Sequence, residues 1–390
     1  MNILLVTPFY PPDIGGIAQH VYELTSILLH QKNSVAVITC AKTSQLTGIY
    51  PNMYVVPYLS PPPYPYHTLS SFRIPTKPLR IDSAIKAISP DIIHVHGHHY
   101  PITWLSTEFA KSRKIPVILT LHGLYALAPG AEPIEEIFNK TVFRWLLAKV
   151  DAIIGTTQVA IEYVKKYYPS LRVGHVIPYG LQDYRIFLEN LNRKRDFRQK
   201  YMLPEEKVIV LYVGRFVHVK GISELTEACR RINSEKEYGD KVYFLFVGQG
   251  SLKKNINDRL KGYTNYRIID WVSHEKLHEI YIASDIFILP SKWAESFGIV
   301  LIEAMAANLF ILTTPVGGIP EVLAGYRKKA YIRAPLPLHI AEAIKEALKL
   351  YSEGNHAETS NKDILRRFDW AQIGEQIRNL YKIVCNTYRG

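Results

Sequence analysis

In the stretch WAESFGIVLIEAM, residues 293–305, two carboxylates, Glu295 and Glu303, stand at either end of seven mostly apolar residues. A carboxylate accepts paired hydrogen bonds from vicinal hydroxyls, such as those of a ribose or hexose ring. Earlier, VGRFVHVKG sets Arg215 and Lys220 just after an apolar run. Arginine offers a planar fork and lysine a compact point charge, and together they suit a diphosphate. Carboxylates for hydroxyls and cations for phosphates describe a receptor for a sugar nucleotide. The opening segment adds PPDIGGIAQHVYEL, where Gly15 and Gly16 precede a helix-periodic stretch. Glycines there permit close backbone approach, and a helix N-terminus favours anions.

Histidines invite a different chemistry. HVHGHH holds His94, His96, His98 and His99, of which His94 and His96 share one strand face. No carboxylate or thiolate in the sequence completes an evident metal set around them, so strand-end packing and lining of a site are the expected roles. The chain also lacks a D-x-D pair of the kind that holds a divalent ion beside phosphates, so no metal is expected with the donor.

These residues need elements to position them. Apolar β-branched runs recur as NILLVT, SVAVIT, DIIHVH, PVILTL, AIIGTT and HVIP, and resume as VIVLYVG, VYFLFVG, YRIID, IFILP and LFILTT. Continuous rather than alternating hydrophobicity marks strands covered on both faces, and the intervening helical stretches imply parallel doubly wound sheets. Two series predict two Rossmann-like domains facing each other across a cleft, residues 1–183 and 184–370, with a linker near 180–190 and a lead-in helix before Val208. In such sheets ligands bind beyond the carboxyl ends of the strands. The tail spaces Ile373, Ile377, Tyr381 and Val384 helically, so 371–390 is a terminal helix able to pack back on the first domain. PPPYPY, 61–66, reads as a rigid surface loop.

Composition bounds the partners. The 390 residues are 47% hydrophobic and 21% charged, as in ordinary globular chains, and a length of this size suits two cores. Three cysteines, far apart, fit a reducing cytoplasm better than a disulfide framework or zinc site. No run approaches a membrane span, and the start lacks the cationic leader of a signal peptide. Net charge is +12, and residues 1–200 carry 21 Lys and Arg against 13 Asp and Glu. That basic half suits a phosphate-bearing ligand or an anionic membrane surface. Nucleic acid is not expected, because the charge is spread without a binding module. EEIFNKTVFRWLLAKV, 135–150, interleaves Phe138, Val142, Trp145 and Leu146 with Lys140, Arg144 and Lys149, either a helix lying on an anionic membrane or one covering the sheet.

GRFVHVKG, ESFGIVLIEAMA and TTPVGGIPEVL resemble the donor half of retaining glycosyltransferases of family 4, which have the GT-B fold; PPDIGGIAQHVYEL, DIIHVHG and VILTLHG resemble the acceptor half. The likeness runs from residue 1 to about 325. By that resemblance Glu303 binds the ribose hydroxyls, Arg215 and Lys220 hold the diphosphate, and Glu295 contacts the transferred sugar near backbone N–H groups of Ser296, Phe297 and Gly298. His122 lies against the donor sugar, and Gly15 and Gly16 approach phosphates or acceptor. The implied reaction moves a hexose from a UDP- or GDP-sugar to a carbohydrate or lipid-linked acceptor, with retention and without metal or other cofactor, in the cytoplasm or on the cytoplasmic face of the membrane. Asn308 stands where the family has glycine; GYRKKAYI replaces an N-G signal after Glu321, and IIDWVS lacks a glycine, both near the nucleotide base. Two other readings remain: a sugar-nucleotide epimerase of similar fold, which needs acid/base groups on both sugar faces, and a non-catalytic binding protein using the basic half.

Overall fold

The computed structural model describes the chain except residues 14, 42–51, 61–71, 125–131, 172, 182–183, 271, 353–360 and 390. The proline-rich stretch 61–66 and part of the expected linker lie outside the described residues. Contacts cluster into two units, Met1–Gln182 with Trp370–Gly390, and Asp183–Asp369.

In the first unit the strands are β1 (Asn2–Thr7), β2 (Ser34–Cys40), β3 (Met53–Val56), β4 (Tyr58–Leu59), β5 (Ile74–Pro75), β6 (Ile92–His96), β7 (Val117–Leu121), β8 (Ala152–Gly155) and β9 (Gly174–Val176). All but the small antiparallel β4–β5 pair join one sheet, order β3-β2-β1-β6-β7-β8-β9. Every pairing in that sheet is parallel. Successive side chains of a strand point to opposite faces. Thus Leu4 and Val6 enter one buried cluster and Ile3 and Leu5 the other. Helix Trp370–Arg389 belongs to the second cluster: Trp370, Ile373, Ile377, Leu380, Tyr381, Val384 and Cys385 pack there with Val21, Leu24 and Leu28 of helix Gly16–His30. The helical spacing of the tail serves to cover a sheet face that would otherwise be wet.

The second unit repeats the plan with β10 (Val208–Val213), β11 (Val242–Val247), β12 (Tyr266–Ile269), β13 (Ile286–Leu289), β14 (Phe310–Thr313) and β15 (Lys329–Tyr331), all parallel, in the order β12-β11-β10-β13-β14-β15. The α/β fold expected from the strand series is therefore present in both units. In each, strand order reverses beside the first strand, between β1 and β6 and between β10 and β13. Such switch points open a crevice at the carboxyl edge.

Some local features differ from the sequence reading. Strands β3 (MYVV) and β15 (KAY) were not among the expected runs. Residues 184–190, expected as linker, already form helix Tyr184–Asn190, and helix Lys194–Lys200 follows. The latter is tied beneath β10 by Asp285, a buried carboxylate: it accepts from Arg198 Nη2 at 2.5 Å, Tyr351 OH at 2.6 Å and the Ile209 amide at 2.7 Å, and pairs with Lys194. A buried charge left without such partners would be costly. The expected helix 135–150 is α-helical over Glu132–Phe138, π-helical over Asn139–Phe143 and α-helical again over Arg144–Lys149. Leu146 is buried in the core, and the apolar residues exposed there are Ile134, Ile137 and Trp145. Asn308, in the place of a family glycine, adopts a left-handed φ of 58°. Among the described residues no helix is long and apolar enough to cross a membrane.

Candidate active site

At the carboxyl edge of β10 the chain turns through Gly214 and Arg215 into a single 3-10 turn, His218–Lys220, before helix Ile222–Ser234. Gly221 makes that turn close: its φ is 69°, and a Cβ there would lie 2.0 Å from the Pro290 carbonyl oxygen. The loop after β13 is thus held against the loop after β10. Lys220 Nζ meets Glu295 Oε1 at 2.5 Å, and Ser291 Oγ donates to the same oxygen at 2.6 Å. Both partners are largely buried, with side-chain exposures of 21% and 15%. Burial by itself would raise the Glu295 pKa, but the charge and hydrogen bond of Lys220, with Ser291 and nearby Arg215, hold it below the usual carboxylate value. Glu295 is therefore ionised and fixed.

Its backbone is fixed as well. Gly318 N–H donates to the Glu295 carbonyl at 2.7 Å, and Gly317, φ 61°, approaches so closely that a Cβ would lie 2.2 Å from that oxygen. Arg215 differs from its neighbours. It is exposed, and among the described residues its guanidinium makes no ion pair or side-chain hydrogen bond. Around Lys220, Glu295 and Arg215 one positive charge is left over, and Arg215 carries it to the surface.

Glu303 lies midway along helix Ile299–Ala306 and is buried, 4% exposed, with Oε2 accepting from Tyr281 OH at 2.7 Å. Burial first, then the Glu303 charge, pushes the Tyr281 phenol well up, so it remains a donor. Gly298 caps this helix at φ 85°. The Phe297 side chain is buried against Phe368, ring centroids 5.8 Å apart, which leaves its backbone as the part able to meet a ligand. Ser296 beside it is half-buried.

The remaining expected residues sit in the first unit. Gly15 caps helix Gly16–His30 at φ 150°, and a Cβ there would meet nothing of the protein within 4 Å; both glycines are exposed. His122, just past β7, has both ring nitrogens engaged: Nε2 with His96 Nδ1 at 2.9 Å and Nδ1 with the Tyr179 hydroxyl. His20, one turn into the glycine-capped helix, lies with its ring centroid 5.1 Å from that of His122. The four histidines of HVHGHH form two close pairs, His94 with His96 at a ring-centroid distance of 4.1 Å and His98 with His99 at 3.6 Å. His94 lies between Tyr381 OH, 2.7 Å, and Thr120 Oγ1, 2.6 Å, and His96 joins His20 and His122. His99 pairs with Glu135 at 3.0 Å, while His98 stacks near Phe143. Burial lowers the pKa of His20 and His94 to about 3, and those of His96, His98 and His122 well below the usual value, with neighbouring imidazoles adding to the effect at all but His20. This group is uncharged.

The sequence reading did not find Tyr281, Ser291, Tyr179 or His20. A hydroxyl beside a carboxylate leaves no spacing signal when the two lie on different elements. His20 reads as an ordinary polar helix position, although HVYEL after the glycine pair placed it within a turn of the expected site.

Two family descriptions match the chain: "Glycosyltransferase Family 4" over residues 14–183 and "Glycosyl transferases group 1" over residues 193–363. The chain belongs to glycosyltransferase family 4. Similar over nearly its whole length is the GPI3 subunit of phosphatidylinositol N-acetylglucosaminyltransferase from Saccharomyces cerevisiae, 24% identical over 402 residues, covering 99% of this chain and 84% of the relative. Among solved structures, sucrose-phosphate synthase from Thermosynechococcus elongatus matches with a TM-score of 0.74 at 22% identity, covering 99% of each chain. HepE of Anabaena, in complex with UDP, matches with a TM-score of 0.75 at 15% identity, covering 98% of this chain and 100% of that one. At these identities the structures establish the fold, that of GT-B glycosyltransferases, as the motifs of both halves had implied.

Proposed function

We propose that this family 4 glycosyltransferase moves a hexose from a UDP- or GDP-sugar to a carbohydrate or lipid-linked acceptor, with retention of configuration and with no metal at the donor. The observation that carries this reading is Arg215, an exposed guanidinium that among the described residues has no ion pair, at a strand's carboxyl edge next to Lys220 held by Glu295. Arg215 forks onto the diphosphate, and Lys220 adds its charge from a pre-set position. Glu303, oriented by Tyr281, takes the ribose hydroxyls. Glu295 and the amides of Ser296, Phe297 and Gly298 orient the sugar. The bond between the anomeric carbon and the diphosphate oxygen breaks, its electrons go to the diphosphate, and the acceptor oxygen bonds on the same face while its proton passes to the departing phosphate. Positioning and charge stabilisation do most of the work.

His122 stands beside the sugar, and Gly15 and Gly16 offer backbone to phosphate or acceptor. Because both His122 nitrogens are engaged, its contact with sugar is through the ring or the backbone unless it gives up a partner. HepE in complex with UDP supports a nucleotide-sugar donor, and the phosphatidylinositol in the yeast relative's name supports a lipid-linked acceptor. For the latter, Ile134, Ile137 and Trp145, exposed by 63%, 65% and 37%, with Lys140 and Arg144, offer an apolar and basic surface to an anionic membrane on its cytoplasmic side. The three buried free cysteines suit that reducing setting.

The test is release of UDP or GDP from UDP-glucose, UDP-N-acetylglucosamine and GDP-mannose, with and without phosphatidylinositol vesicles or free hexoses, and assignment of the product anomer by proton NMR. Acceptor-dependent release with a retained anomer is expected. Conversion of the sugar nucleotide without acceptor favours an epimerase, and an inverted anomer overturns the mechanism. Failure to sediment with anionic vesicles at low salt removes the membrane part.

A further inference from the structure

The strand that leads into the turn carrying Arg215 holds a single polar side chain. Within β10, VIVLYV, only Tyr212 has a side-chain polar atom, and it is buried, 1% exposed. A phenylalanine there would fill the same ring volume with no hydroxyl to satisfy, whereas a buried hydroxyl costs free energy unless it finds a partner. Tyr212 finds one three residues on: its OH donates to the Arg215 carbonyl oxygen at 2.9 Å. The Val217 amide donates to the same oxygen at 3.0 Å, so this carbonyl is held twice. The residues flanking Arg215 are fixed as well. Gly214 N–H donates to the Val247 carbonyl at 3.0 Å, and Phe216 N–H to the Gln249 carbonyl at 2.8 Å. The loop after β11 presses on the turn so closely that a Cβ at Gly248 would lie 2.0 Å from the Gly214 carbonyl oxygen. The Arg215 side chain therefore leaves for the surface from a backbone held on both sides.

We infer that Tyr212 is a positioning residue for the proposed transfer: its hydroxyl fixes the Arg215 backbone and so directs the guanidinium to the diphosphate before the donor arrives. The inference rests on the proposed function and on the part given there to Arg215. The arginine stem keeps its torsional freedom. Rooted in a fixed backbone, however, it loses less freedom on forking onto a phosphate than it would from a mobile loop, and it starts nearer the geometry that the reaction needs. The phenol suits this task because it stays protonated. Burial first, then the Glu295 charge, raises its pKa, with nearby Arg215 opposing, so the hydroxyl remains a donor. Its ring is held in turn by Phe216, with centroids 6.0 Å apart, from the far side of Arg215 in sequence.

Tyr212→Phe removes one oxygen and keeps the ring, and urea unfolding checks that the variant is folded. Calorimetry on the full chain then compares UDP with UMP and GDP with GMP in wild type, Tyr212→Phe, Arg215→Ala and the double variant. The expected result for Tyr212→Phe is a loss of about three- to tenfold in affinity for the diphosphate and of less than about twofold for the monophosphate. Made in the Arg215→Ala background, the same change should cost nothing further, because the hydroxyl acts through that arginine. A hydroxyl serving stability alone would weaken both nucleotides alike or act independently of Arg215, and either result overturns the inference. A wild-type chain that binds the diphosphate no better than the monophosphate overturns the proposed donor site, and this inference with it. A wild-type preference for the diphosphate that Tyr212→Phe leaves intact overturns the role of Tyr212 alone.

Discussion

The two units prepare their polar groups in opposite ways. In the second, Lys220 pairs with Glu295, and Lys220 with nearby Arg215 holds Glu295 in its charged form despite burial. In the first, burial keeps His20, His96 and His122 neutral. Both sites lie at the carboxyl ends of parallel strands beside a switch point, so the same architecture serves both. The difference lies in what is brought in from the flanking loops and helices. A charge-compensated site suits a ligand that carries charge and develops more of it during reaction. A desolvated neutral site suits lone-pair donation.

Removing Lys220 should break the contrast most. In Lys220→Ala the proposed diphosphate site loses a positive charge and Glu295 is left buried with Ser291 and nearby Arg215, so kcat should fall about 10²- to 10³-fold while KM changes less, because leaving-group charge is greatest in the transition state. Steady-state kinetics on the donor checks this; an equal loss carried wholly in KM contradicts the assignment. Glu303→Ala removes the hydrogen-bond acceptor proposed to take the ribose hydroxyls, and should weaken donor affinity by about 1.5–3 kcal/mol with a smaller effect on kcat.

A smaller effect concerns pH. Glu295 has a folded pKa below its unfolded value, so the stability it contributes is present above the ordinary glutamate range, near pH 4.3, and is lost as pH falls through the folded value. The stability difference between wild type and Lys220→Ala, measured by urea unfolding, should therefore be full at pH 7 and shrink below about pH 4. A gap that does not narrow on acidification would mean that the pair contributes nothing through charge. Tyr179→Phe should cost least, about 0.5–1.5 kcal/mol of stability for one hydrogen bond to His122, with donor affinity unchanged. A large loss of donor binding in that variant would tie the first unit's cluster directly to the nucleotide.

Much of the fold was legible because a parallel strand covered on both faces must be apolar throughout, and VIVLYV or IFIL says so without help. The terminal helix was legible for a similar reason, since Ile373, Ile377, Tyr381 and Val384 repeat with the helical period and are all buried. What did not stand out was β3, where MYVV is apolar but was not among the expected runs, β15, where KAY holds a lysine, and residues 184–190, where helix begins sooner than its polar composition suggested. Of the site, residues that act through charge near a strand end could be read: Arg215, Lys220 and Glu295 stand out in their loops. Those that act by holding a neighbour could not. Tyr281 orients Glu303 from another helix, and His20 reaches His96 across a long interval of sequence, so only the folded chain brings them together. His94 and His96, two apart on one strand, do share a face, while His98 and His99 pair beyond the strand end.

On the proposed function, the second unit binds a nucleotide sugar through Arg215, Lys220 and Glu303. The most direct measurement is calorimetric titration of the chelator-treated chain against UDP, GDP, ADP and their hexose conjugates, repeated with Arg215→Ala and Glu303→Ala. Metal-free binding selective for UDP or GDP and their sugars, weakened in both variants, is the expected result. Absence of binding across the panel, or binding that both variants leave untouched, would contradict it.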